Sequence, residues 1–131
     1  MKKMTMLILG LFCLNTAPVF ANSYEDSFKK AIATQATADD FLKNYEATLN
    51  ELEKKIEGWS AKPDESAEVW FPICIGYENM ATILKNNVKY KKQFDESSFA
   101  AAMNYDETVE NYQNEIELAA DLCQKAKKAM P

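Results

Sequence analysis

After residue 21 the chain contains two glycines, Gly58 and Gly76, and three prolines, Pro63, Pro72 and Pro131. So few breakers leave little room for the turns that a sheet needs. Among many Ala, Glu, Lys and Leu residues, this scarcity specifies helices. The expected fold class is all-α: a small antiparallel bundle of about four helices, closed by one disulfide, after an N-terminal signal peptide. No apolar stripe exceeds about four heptads, and caps or breakers close each one, which favours a compact bundle over an elongated coiled coil.

The N-terminus has the order of an export signal. Lys2 and Lys3 precede the apolar run Met6 to Leu14, and Val19-Phe20-Ala21 offers small residues for cleavage after Ala21. A spanning helix needs about 20 apolar residues, and Asn15, Thr16 and Pro18 interrupt this run. Phe12 before Cys13 argues against lipidation, which requires a small residue there. The expected organisation is a signal peptide over 1–21 and one helical domain over 22–131, exported to the periplasm and not stably inserted in the membrane. Cleavage would remove Lys2, Lys3 and Cys13, taking lysines from 15 to 13 and net charge from −5 to −7. Cysteines would fall from three to two, an even number suited to an oxidising compartment.

The helices are read by period. Ser23 to Gln35 places Tyr24, Phe28, Ala31 and Ile32 on one face. Thr37 opens a second helix, with Asp39 and Asp40 in its first turn, where the dipole favours acids. Phe41, Tyr45, Leu49, Leu52, Ile56 and Trp59 then recur at helical spacing until Gly58, Lys62 and Pro63 end the run. Asp64-Glu65-Ser66 caps a third helix, within Ala67 to Lys92, the most apolar part of the chain after the N-terminus. Its expected seam is Trp70, Cys74, Tyr77, Ala81, Leu84 and Val88, flanked by Ile73, Met80 and Ile83. Pro72 either lies in the first turn of a helix starting near Phe71 or kinks a longer one. Gly76 permits a close approach by a neighbour.

Gln93 to Met103 reads as a linker in which Asp95 caps one short turn around Phe99. Asn104 and Glu107 then have capping-box spacing. From there Tyr105, Val109, Tyr112, Ile116, Ala119, Cys123, Ala126 and Met130 predict one unbroken helix. Cys74 and Cys123 both fall on apolar seams, so a disulfide between them is expected. Closing a loop of about 49 residues stabilises by roughly 4 kcal/mol in the chain-entropy picture.

The chemistry is constrained by what is absent: the sequence has no histidine and no arginine. Ser–His and Cys–His pairs, the usual haem ligation and ExxH di-iron sites all need histidine. The basic residues are lysines scattered among acids, a pattern that does not point to nucleic acid. Paired acids occur at Asp39-Asp40, Asp64-Glu65, Asp95-Glu96, Asp106-Glu107 and Glu115-Glu117. Four of the five stand at expected helix starts, where capping explains them, and none forms an EF-hand loop. Cys74 and Cys123 are not in a C-x-x-C arrangement, so a structural disulfide is favoured over a redox-active pair. No catalytic residue, metal ligand or cofactor site is expected.

A contact surface remains. Trp70 and Phe71 are adjacent on a helix and cannot both point inward, so an exposed apolar patch is expected near Trp59 and the Pro63 turn. The expected partner-binding set is Trp59, Trp70, Phe71, Asp64 and Glu65, facing a basic protein partner. The leading functional expectation is an exported helical binding protein, such as a toxin-neutralising immunity or inhibitor protein acting by stoichiometric contact. A periplasmic acid-stress chaperone is the alternative: below about pH 4 its carboxylates would neutralise and leave it strongly positive. A small enzyme or ligand carrier ranks last.

Overall fold

A computed structural model describes residues 34–130, and these are all-helical. Five α-helices follow in order: α1 (Ala38–Ala61), α2 (Ala67–Asn86), α3 (Lys91–Asp95), α4 (Tyr105–Leu118) and α5 (Ala120–Ala129). Single 3-10 turns lie at Val88–Tyr90 and Ser98–Ala101. The signal peptide and most of the expected helix over 23–35 lie outside the described residues.

α1 begins where Thr37 Oγ1 accepts the Asp40 N–H at 3.1 Å, and Lys62 N–H bonds to Gly58 O just before Pro63. Its buried face is Phe41, Tyr45, Thr48 and Leu52. Thr48 takes the place expected for Leu49, because its hydroxyl is satisfied within the helix by Asn44 O at 2.8 Å. A polar group can be buried at low cost when it is bonded in this way. Leu49, Ile56 and Trp59 pack on the core from the side.

α2 is the central element. An Asp64 carboxylate accepts the N–H and hydroxyl of Ser66 at 2.9 and 3.1 Å and sets the turn into the helix. Pro72 lies inside a helix that already began at Ala67, so the longer-helix reading holds. The buried positions are Ile73, Cys74, Gly76, Asn79, Met80, Ile83 and Leu84. They spread over more than half of the helix circumference because it has neighbours on several sides: α1 at Gly76, α4 at Tyr77 and Leu84, α5 at Cys74 and Glu78. The expected seam is therefore corrected: the residues set beside it form much of the core, Trp70, Tyr77 and Ala81 are half-buried, and Val88 is 60% exposed. Val88 leaves the seam because α2 stops at Asn86 and the helical period stops with it.

Fully buried Asn87 fixes the chain at that stop. Its Nδ2 donates to Ile83 O, its Oδ1 accepts the Gln35 N–H, and Tyr90 hydroxyl donates to Gln35 O, at 2.8, 2.8 and 2.9 Å. The expected linker also proves structured. Phe94, on the five-residue α3, has no exposed surface and packs against Phe41, Tyr45, Phe99 and Tyr105 with centroids 5.2–6.3 Å apart. Ser97, not Asp95, caps the turn containing Phe99, while Asp95 Oδ1 accepts the Tyr105 N–H at 2.7 Å.

α4 opens with the expected capping box, with Asn104 Oδ1 accepting Glu107 N–H and Glu107 Oε2 accepting Asn104 N–H, at 3.0 and 2.9 Å. The unbroken last helix is not found, because Ala119 (φ −90°, ψ 1°) separates α4 from α5. The reason is geometric. Leu84 O accepts the Tyr105 hydroxyl and Tyr77 packs on Tyr112, so α4 runs antiparallel to α2. A straight continuation would set Cys123 beside Ser66, some eight residues or roughly 12 Å along α2 from Cys74. A disulfide tolerates a Cα separation of only about 7 Å. The turn at Ala119 brings the two Cα atoms to 5.6 Å and allows the Cys74–Cys123 bond. The Glu78–Lys127 ion pair lies four residues further along both helices, so α5 advances in the same sense as α2.

Candidate functional site

The C-terminal end of α1 and the N-terminal part of α2 meet because the helices are antiparallel, with Leu52 opposite Gly76 and Trp59 opposite Trp70. The two indoles form a T-shaped pair with centroids 5.5 Å apart and planes inclined by 67°. Both Nε1–H groups are buried and have no hydrogen-bond acceptor. Indole donors usually find a partner when buried, so the pair is held by packing at a polar cost of about 1–3 kcal/mol for each orphaned group. Trp70 joins the hydrophobic core; neighbouring Phe71, half-buried, lies outside that cluster.

An open groove of about 400 Å³ meets the pair at Trp59 and is lined by Lys55, Lys62, Asp64, Glu68, Val69 and Pro72 as well; Trp70, Phe71 and Glu65 do not line it. Burial pulls the Lys55 ammonium below its ordinary value, opposed by the neighbouring Glu51 carboxylate. Asp64 reaches this groove while also holding Ser66, and Glu65 is exposed on the same turn. The five expected partner-binding residues thus belong to one end of the α1–α2 pair. The rim carries both signs of charge, because Lys55 and Lys62 stand beside Asp64 and Glu68. Asp39-Asp40 lies at the far end of α1, about 30 Å away along the helix. Asp95 and Asp106 are engaged near the start of α4 by Tyr105 and by Lys91 at 2.6 Å.

Two further grooves had no signal in the periodicity. One, of about 390 Å³, follows the disulfide along Cys74, Tyr77, Ile116, Cys123 and Lys127. The other, of about 520 Å³, is bordered by Ala81, Lys85, Val88, Tyr105, Val109 and Gln113. It exists because Val88 and Lys85 turn outward where α2 ends. No protein-family model, curated protein or solved structure matches this chain.

Chemically, the described residues offer contact surface. Among them no three carboxylates or thiols come together as a potential metal site. Both described cysteines are consumed by the disulfide. Tyr45 and Tyr112 are both buried in the core, and burial raises both phenols above their ordinary value. Among the described residues no helix is long and apolar enough to cross a membrane.

Proposed function

We propose that this protein is an exported, periplasmic binding protein that acts by stoichiometric contact through the end of the bundle carrying Trp59, Trp70 and Phe71. The observation that carries the reading is the tryptophan pair at this end of the bundle, with Trp59 opening onto a groove and Phe71, half-buried, outside the core on the same turn of α2 as Trp70. Aromatic residues dominate interface hot spots because they bury a large area at little rotamer cost. Asp64, Glu65 and Glu68 would attract basic groups of a partner, and Lys55 and Lys62 beside them would fix its orientation, so binding would weaken with salt. A toxin or hydrolase neutralised by occlusion is the kind of partner that this arrangement suits, and the chain itself performs no catalysis in this reading.

The export part rests on the order of Lys2-Lys3, the apolar run and Val19-Phe20-Ala21, with cleavage after Ala21. An intramolecular disulfide is in keeping with an oxidising compartment. Mass spectrometry of the periplasmic fraction tests this part, with Asn22 expected at the N-terminus; intact Met1 in the membrane fraction would refute it. The binding part is tested by retaining partners from periplasmic extract on immobilised protein at low and high salt. Retention that weakens with salt and is lost in folded Trp70→Ala and Phe71→Ala variants supports it. Retention indifferent to both substitutions places the contact elsewhere.

A further inference from the structure

α5 differs from the other long helices in what holds it. Of its residues only Ala126 is buried, with Leu122 and Cys123 half-buried. Alanine offers little apolar area, and a ten-residue helix is marginal in water without packing. Its polar anchor is the Lys127–Glu78 ion pair, whose side chains are 43% and 40% exposed, and such pairs hold weakly. At its start, Ala119 already interrupts the helix and provides a ready hinge. The rest of the bundle has packing of its own apart from α5. α4 packs on α2 through Tyr105 and Tyr112, and α1, α3 and α4 share the aromatic cluster around Phe94.

The covalent tie is accessible from outside. Cys74 and Cys123 both line the open groove of about 390 Å³. Cys74 is 1% exposed, whereas Cys123 is half-buried. From these facts we infer that the disulfide is a redox latch: a dithiol reductant entering this groove releases α5 from α2 and leaves the remaining helices packed. The reductant's thiolate attacks Cys123 Sγ, forming a mixed disulfide and expelling Cys74 as thiolate, which takes up a proton. The reductant's second thiol, as thiolate, then attacks its own sulfur in the mixed disulfide. Cys123 leaves as thiolate and is protonated, and the dithiol departs as a disulfide. Two electrons and two protons pass to the protein. Release of α5 uncovers the α2 surface around Cys74, which is 1% exposed in the oxidised protein.

Hydrogen exchange by mass spectrometry on the full chain, before and after treatment with dithiothreitol without denaturant, tests the latch. Thiol alkylation reports that reduction has occurred. The expected result is at least a tenfold loss of protection in peptides covering 119–130, with α1, α2 and α4 unchanged. A Cys123→Ser variant should give the same pattern without reductant. Unchanged protection over 119–130 in either sample, loss of protection throughout the chain, or a disulfide that reacts only after unfolding would each overturn the inference.

Discussion

A methyl group at Gly76 would stand 2.7 Å from Leu52 Cδ1, closer than real Cβ contacts come. Gly76→Ala should therefore force the buried Leu52 side chain out of its packed position and destabilise by about 1–3 kcal/mol, as overpacking does. A denaturant midpoint unchanged from the parent would refute that contact. Phe94→Ala empties the middle of the aromatic cluster and should cost about 3–5 kcal/mol. The phenols give a pH test. Burial holds Tyr45, Tyr77, Tyr105 and Tyr112 above their ordinary value, with neighbouring carboxylates adding to the rise at each. In the unfolded chain tyrosine ionises near pH 10. Below that pH the stabilisation is fully present. Above it the unfolded chain loses protons that the folded protein retains, so stability falls as pH rises towards the folded values. Urea midpoints should therefore drop above about pH 10; a flat profile to pH 11 would contradict the burial of these rings.

At the scale of elements, α2 keeps Pro72 in its interior, where the ring removes the bond that residue 72 would donate to Glu68 O. Pro72→Ala should stabilise the fold by about 1–3 kcal/mol, read from the denaturant midpoint, and a loss of stability would show that the ring has a packing role. The start of α4 was legible in the sequence because Asn104 and Glu107 are local signals that act through adjacent backbone. So was the extent of α1, where period, cap and breakers agree. Phe94 was not legible: α3 has five residues, too short to show a period, and only contacts distant in sequence reveal its burial. The division at Ala119 was hidden for a different reason. The apolar period runs through it, yet an unbroken helix and a Cys74–Cys123 bond exclude one another once the α2–α4 register is known. Of the candidate site, the adjacency of Trp70 and Phe71 suggested an exposed apolar patch that is not found: both are half-buried, as is Trp59, and the exposed large hydrophobics among the described residues are Val88 and Leu118. The mixed charge of the groove depends on helix pairing, which no local pattern encodes.

For the whole molecule, the disulfide joins α5 to α2, a contact in which Ala126 is the one buried residue of α5. Chemical denaturation of the reduced protein should show a folded state weaker by about 2–4 kcal/mol; equal stability would mean that the bond constrains nothing. The central functional claim is that the Trp59–Trp70–Phe71 end is where a partner binds. Photo-crosslinking in the cells that express the protein measures this most directly, with a photoreactive residue placed in turn at Phe71, Glu65 and Glu110. Glu110 is exposed on α4 and serves as the control. The account predicts a discrete one-to-one adduct from positions 71 and 65 and none from position 110. Adducts at 110 alone, or equally at all three positions, would contradict it.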